Sequence, residues 1–292
     1  MTIQKKRSVF FLLVLVFLIS RPLSAGKLTF GARVSGGLGY FSGSDINSYF
    51  QTLNEWDDYH KNPVTGRLLA VHLGSDFQAE FFLGFGPHLG ITLGVGRLGI
   101  SRESVLTRGS GIDQSKETHK PGMSATVITL GGFYALPLTR TLTLNANAGM
   151  AYYLGHVEFS YSVVDNDSSY VQTWKSSKSV LGFQAGAGLE YAILPKLSLV
   201  VEALARFAAL EDLNGPYHYT SQGPTWSSEY NGDHTAWLVS YKDAPSTTNS
   251  WILLLTTGTD DPNNYPEIYS HVRKASFSLS GVSLRLGAKY KF

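Results

Sequence analysis

The sequence predicts an all-β fold, a transmembrane antiparallel up-and-down β-barrel of eight strands, on three observations. Apolar residues recur at every second position over segments of about ten residues. Long and short links alternate between those segments, and aromatic residues gather at segment ends. A tilted membrane strand needs about 9–11 residues, and each segment supplies them.

Taken in order, the first segment puts Phe30, Ala32, Val34, Leu38 and Tyr40 on one face and Arg33, Ser35, Gly37 and Gly39 on the other. The second opposes Phe77, Ala79, Phe81, Leu83 and Phe85 to Asp76, Gln78 and Glu80. The third sets Leu89, Ile91, Leu93 and Val95 against Thr92, Gly94 and Gly96; its phase slips near Arg97, where the pattern predicts a β-bulge. The fourth, Ser124 to Leu136, has an ambiguous phase but no charge on either face. The fifth alternates from Leu142 to Leu154 against Asn145, Asn147 and Gly149, and the sixth from Leu181 to Tyr191 against Gln184 and Glu190. The seventh runs from Leu197 to Phe207 with Ser198, Glu202 and Arg206 opposed, and the last from Val282 to Phe292 with Arg285, Gly287, Lys289 and Lys291 opposed.

Short connections at Gly84 to His88, Pro137 to Arg140 and Leu194 to Lys196 join segments two to three, four to five and six to seven. The other links, near 42–66, 106–122, 164–178 and 211–273, are long, polar and rich in Ser, Asn, Asp, Gly and Tyr. A soluble β-sandwich gives no cause for such alternation. A barrel inserted from the periplasm has short turns on that side and long loops outside. Tyr40, Phe41, Tyr152, Tyr153 and Phe207 at the long-link ends, with Phe30, Phe85, Tyr191, Tyr290 and Phe292 at the short-turn ends, fit two interfacial girdles. Link 211–273 is long enough to need structure of its own. Within it Trp237, Val239 and Tyr241 alternate, as do Trp251, Leu253 and Leu255. This reads as an external hairpin; the alternative is two more membrane strands and a ten-stranded barrel.

The chain opens with Lys5, Lys6 and Arg7, an apolar run from Val9 to Ile19, and then Ser24, Ala25 and Gly26. That predicts a signal peptide over residues 1–25, export through the Sec pathway and cleavage near Ala25, with the barrel occupying 26–292. Its removal takes four of the 24 basic residues and no acid, so 20 bases face 22 acids and the net charge becomes −2. The basic balance belongs to the precursor and supports no nucleic-acid partner. With no cysteine, a disulfide scaffold, a thiolate metal site and a Cys nucleophile are excluded.

The C-terminal stretch Arg285-Leu-Gly287-Ala-Lys-Tyr290-Lys-Phe292 resembles the terminal signal of bacterial outer-membrane barrels. The block from Gly186 through Glu190, Tyr191 and Pro195 to Glu202 is similar to the strand-turn-strand repeat of small OmpA-, OmpX- and OmpW-like barrels. Gly36 to Tyr40, Gly43 to Asn47 and Leu279 to Leu284 resemble a less characterised group of them. The resemblance implies the cell outer membrane, contact with its lipid and lipopolysaccharide, and biogenesis by periplasmic chaperones and the barrel-assembly machinery. Gly287, Tyr290 and Phe292 would carry the assembly signal.

An eight-stranded barrel is just wide enough for side chains to fill it. The inward faces hold the bases Arg33, Arg206, Arg285, Lys289 and Lys291 and the acids Asp76, Glu80, Glu190 and Glu202, with Gln78, Asn145, Asn147 and His72 between them. Balanced charges in so narrow a space predict a paired plug; the alternative is a narrow polar path for small solutes. Catalytic signals are weak, with no His-Glu-x-x-His, Gly-x-Ser-x-Gly or metal-ligand spacing. No cofactor or metal is expected, and His60, His119, His218, His234 and His271 read as solvated loop histidines. Trp56, Trp174, Trp226, Trp237 and Trp251 all fall in the long links, where they pack loops together or touch the membrane interface, or else meet an extracellular ligand. The expectation is a non-enzymatic barrel anchoring external loops, with a porin-like channel second and a lipid-modifying enzyme third.

Overall fold

Strand periodicity dominates the computed structural model, which describes residues 28–60, 63–109, 114–224, 226–243, 251–257 and 269–292. The predicted signal peptide lies outside the described residues. The chain runs β1 (Leu28–Phe41), helix α1 (Ser44–His60), β2 (Val64–Thr65), β3 (Leu73–Phe85), β4 (Leu89–Ser101), β5 (Ser104–Arg108), β6 (Ser115–Pro137), β7 (Leu142–Val164) and β8 (Ser169–Ala192). It continues as β9 (Leu197–Phe207), β10 (Ala209–Leu210), β11 (Asn214–Gly223), β12 (Trp226–Asp243), β13 (Trp251–Thr257), β14 (Tyr269–Lys274), β15 (Phe277–Ser278) and β16 (Gly281–Lys291).

The pairing closes on itself. β1 pairs antiparallel with both β3 and β16, and following partners through β4, β6, β7, β8 and β9 returns to β16, so these strands form a ring. Closure removes the open edges whose amides would otherwise meet hydrocarbon unpaired. β9 pairs directly with β16 from Leu197↔Tyr290 to Arg206↔Gly281, so neither β12 nor β13 is intercalated in the ring. Instead β11 adds to the upper part of β8, β12 adds to β11, and β12 and β13 form a hairpin in which Trp237 faces Thr256 and Tyr241 faces Ile252.

Alternation sorts the ring into two faces. Phe30, Val34, Leu38, Phe77, Phe81, Leu93, Leu284 and Leu286 are all more than half exposed, pointing away from the ring axis. The fourth segment's phase is resolved: Ile128 and Leu130 point out, Val127 and Thr129 in. Such an outer band is unfavourable in water and suits hydrocarbon.

Several sequence expectations need correction. No bulge occurs at Arg97: β4 pairs with β3 and β6 without a register shift. Arg97 stays on the outer face while Leu98 and Ile100 turn inward and are buried, so the hydrophobic pattern changes face and the backbone does not. Phe41 and Tyr153, assigned to a girdle, point inward and are fully buried; their neighbours Tyr40 and Tyr152 are the exposed ones. Two of the expected long links are largely strand. β6, β7 and β8 run 23, 23 and 24 residues, leaving a four-residue turn at 165–168. Asp165 Oδ1 closes that turn by accepting from the Asp167 and Ser168 amides. In these extensions the outer face turns polar, and on β7 Val157 and Phe159 face inward, which reverses the alternation that marks a membrane strand.

Link 42–66 contains α1 rather than loop alone. Ile46, Tyr49, Phe50 and Leu53 recur at helical spacing, and Asp45 sits in the first turn, where a carboxylate favours the helix dipole. Ile46 and Phe50 are buried at the long-link end of the ring, in one apolar cluster with Leu98, Ile100, Met123 and Trp174. Each large apolar side chain so buried stabilises the cap by about 1.5–3 kcal/mol. Asn47 and Asn54, two helical turns apart, fasten the helix to the following segment. Asn47 Oδ1 accepts from the Val71 amide at 2.7 Å, and Asn54 Oδ1 accepts from Leu68 at 3.0 Å while its Nδ2 donates to the Leu68 carbonyl at 2.9 Å.

Candidate functional site

Every second side chain of the ring enters a lumen too narrow to hydrate isolated charges, so those that enter must find partners. The structure gathers the inward polar residues into one column. At the short-turn end Lys289 Nζ donates to Glu190 Oε2 at 2.7 Å, Lys291 Nζ lies 3.0 Å from Glu190 Oε1, and Asn145 donates to the same carboxylate at 3.3 Å. The Lys289 ammonium also sits 4.4 Å from the Phe82 ring centre, a cation–π contact.

Glu202 is the hub of the next layer, accepting from Arg33 Nη1 at 3.1 Å and from Asn147 and Arg285. Arg33 also grips Glu80, and Arg285 donates to the Gln78 amide oxygen. The Gln78 amide nitrogen in turn reaches Glu80 at 3.3 Å and Thr129 at 3.0 Å. Above them Arg206 donates to Asp76 at 2.6 Å and to Ser283 at 2.6 Å, with its guanidinium 5.2 Å from the Phe41 ring centre. Arg285 is 1% exposed, and Arg206 and Glu202 are 2% exposed, so these are charges removed from water and held by their partners.

Strand register produces this arrangement. Arg33 stands opposite Glu80 on β1 and β3, and Arg285 opposite Glu202 on β16 and β9, so any slip of one strand separates several pairs at once. Gly37 stands opposite both Asp76 and Arg285; a Cβ there would collide with the Leu284 carbonyl. A cavity of about 30 Å³ remains beside Arg33, Asn145 and Lys289, room for about one water.

His72 does not join the column. It stacks on Tyr40 at 4.7 Å with Nδ1 2.8 Å from the Phe41 carbonyl. Gly287 faces Ser35 across β1, while Tyr290 and Phe292 point outward with ring centres 5.5 Å apart.

The cap above the column contains residues the sequence reading placed in solvent. His119 is 2% exposed, its ring centre 4.7 Å from that of Tyr161 and edge-on to Phe50 at 5.8 Å. It lies on β6, in a stretch read as loop. His218 Nδ1 is likewise buried; the side chains of His60, His234 and His271 lie outside the described residues. Trp174 is fully buried in the cap and packs it; the other tryptophan side chains lie outside the described residues. Arg108 ties helix to strand, pairing with Asp57 of α1 and, through Nε at 2.7 Å, with Glu117 of β6. Burial works against the Glu117 carboxylate, but His119 and Arg108 more than offset it and hold its pKa below the usual carboxylate range. Burial also pushes the Tyr161 hydroxyl up to about 12. The one detectable signal for the cap was the helical spacing of Ile46, Phe50 and Leu53.

Among the described residues no cluster of His, Asp or Glu is arranged to hold a metal ion, and no helix is long and apolar enough to cross a membrane. A search of curated proteins finds no match. Among solved structures the chain is similar to a major outer membrane protein from Thermus thermophilus, at 14% identity and a TM-score of 0.41, covering 91% of this chain and 100% of that one. The family described as outer membrane protein beta-barrel domain matches residues 10–215. With that match spanning most of a chain whose strands close into a ring with an apolar outer face, the protein belongs to the outer membrane β-barrel domain family.

Proposed function

We propose that the protein is a closed, non-enzymatic anchor. Its eight-stranded ring spans the outer membrane, its short turns lie in the periplasm, and α1 with the strands beyond the ring forms an ordered head outside the cell for contact with an extracellular ligand or surface. The observation that carries this reading is the stack of paired charges across the lumen, from Lys289–Glu190 through Glu202 to Arg206–Asp76, with room for about one water between its first two layers, and then the Phe41 ring beneath the apolar cap. Opening a solute path would strand several buried charges, each costing several kcal/mol.

The test is single-channel recording of the purified protein in planar bilayers. No steady conductance is expected over the working voltage range. Stable, reproducible opening of the wild type would reject the closed anchor in favour of the channel.

A further inference from the structure

Arg97 is a charged side chain facing the wrong way for a barrel. On the outward positions of β3, of β4 up to residue 97, of β6 from Thr126 and of β7 from Leu142 to Leu154, it is the only charge. Its neighbours across the sheet are Phe77 on β3 and Thr126 on β6, with Leu154 beyond on β7, so it occupies the upper edge of the apolar band. Its guanidinium donates to the Ser124 hydroxyl at 3.2 Å and the Thr126 hydroxyl at 3.4 Å, and meets no carboxylate among the described residues.

Immediately above that row the outer face changes character. Ser75, Gly99, Ser124 and His156 form the next row, and Ser101, Gly122 and Glu158 the one after. The serines and glycines of these rows leave a groove of about 420 Å³ on the outside of the ring, with His156 and Glu158 along one side. Glu158, at its far side, is neutralised by Lys175 at 3.2 Å. The groove therefore presents hydroxyls and bare backbone; Arg97 is outside its lining but stands at its lower rim, unneutralised and bonded to the Ser124 hydroxyl, where the groove meets the apolar band below it.

We infer that this groove docks the phosphorylated headgroup of an outer-leaflet lipid, with Arg97 holding the phosphate. A lipid whose chains lie along Val95, Ile128 and Leu154 brings its headgroup to the height of Arg97 and the hydroxyls of Ser124 and Thr126. Guanidinium and phosphate match as a two-pronged, charge-assisted pair. The small residues above give the headgroup a flat seat, which a bulky side chain would occupy. The inference rests on the apolar band facing lipid. If that were wrong the protein would stay folded and monodisperse without detergent. Failure of the headgroup site alone would leave a detergent-requiring protein with unchanged lipid retention.

The experiment is native mass spectrometry of the folded protein released from nonionic detergent, with bis-phosphorylated lipid A, dephosphorylated lipid A and inorganic phosphate as probes. The wild type is expected to retain the phosphorylated lipid, and Arg97→Gln to retain about tenfold less, as loss of a charged hydrogen-bonding partner predicts. Gly122→Leu, at a position where a Cβ meets nothing closer than 3.8 Å, fills the groove without touching the charge and is expected to cause a similar loss. Lys196→Gln, an exposed charge in the turn between β8 and β9 at the opposite end of the ring, is expected to leave retention unchanged. Dephosphorylated lipid A should bind the wild type as weakly as the phosphorylated form binds Arg97→Gln, and millimolar phosphate should not displace the lipid. Equal retention by wild type and Arg97→Gln overturns the inference. Loss in Arg97→Gln without loss in Gly122→Leu also overturns it, because charge attraction then suffices without a groove. Full displacement by inorganic phosphate rejects a lipid as the occupant.

Discussion

Arg273 holds Asp45 with both arms of its guanidinium, at 2.5 and 2.7 Å, joining the first turn of α1 to the end of β14. The Asp45 carboxylate also accepts from the Ser276 amide at 2.8 Å and is 5% exposed, so it fastens the helix to one distant segment, 273–276, at two points. Asp45→Ala removes that acceptor and leaves the Ser276 amide without it. The expected cost is about 1–3 kcal/mol, confined to the head. Hydrogen exchange should quicken over residues 44–60 while the ring strands keep their protection.

Glu202 is the larger risk to the fold. Replacing it with Ala leaves Arg33 and Arg285 buried without the carboxylate they share. Breaking a buried charge network in this way costs about 3–5 kcal/mol, and urea unfolding in lipid vesicles should register it as a lowered midpoint. Asp45→Ala should not shift that midpoint to a similar extent.

Gly37 sets how closely β1 and β16 approach where the ring closes. A side chain there meets the Leu284 carbonyl, so Gly37→Val forces the two strands apart beside the Arg285 and Asp76 side chains. The expected penalty is about 1–3 kcal/mol, measurable as a lower refolding yield into detergent by circular dichroism. Gly122→Leu on the outer face is the control that should refold normally.

The cap should loosen in acid. The folded pKa of Glu117 is depressed, so its pairing with Arg108 stabilises fully above the unfolded value, about 4.3. That contribution is lost as pH falls through the lower, folded value. Protease sensitivity of the segment around α1 should therefore stay constant from neutral pH to about 5 and rise below about 4. Glu117→Gln should be sensitive across the whole range.

The outer face was legible in the sequence because a strand between lipid and lumen must alternate, and Phe77, Phe81 and Phe85 against Asp76, Gln78 and Glu80 leave no other phase. The polar side chains that enter the lumen were legible by the same rule. Which of them meet was not: Arg285 reaches Glu202 and Gln78 rather than nearer charges in sequence only because the register of separate strands sets their heights. The head was least legible. Past Arg97 the outer face is polar and the inner face greasy, so the same alternation that marks a membrane strand there runs in reverse and resembles a slipped phase.

Local order thus came from the sequence alone, since periodicity acts between neighbours a few residues apart and reports which solvent each face meets. The tertiary structure decided the closing partner of β1, the neighbours of each buried charge, and the burial of Phe41, Tyr153, His119 and Trp174 beneath α1. Those outcomes depend on segments brought together from far along the chain, and no short-range pattern encodes which distant side chain will supply the missing partner.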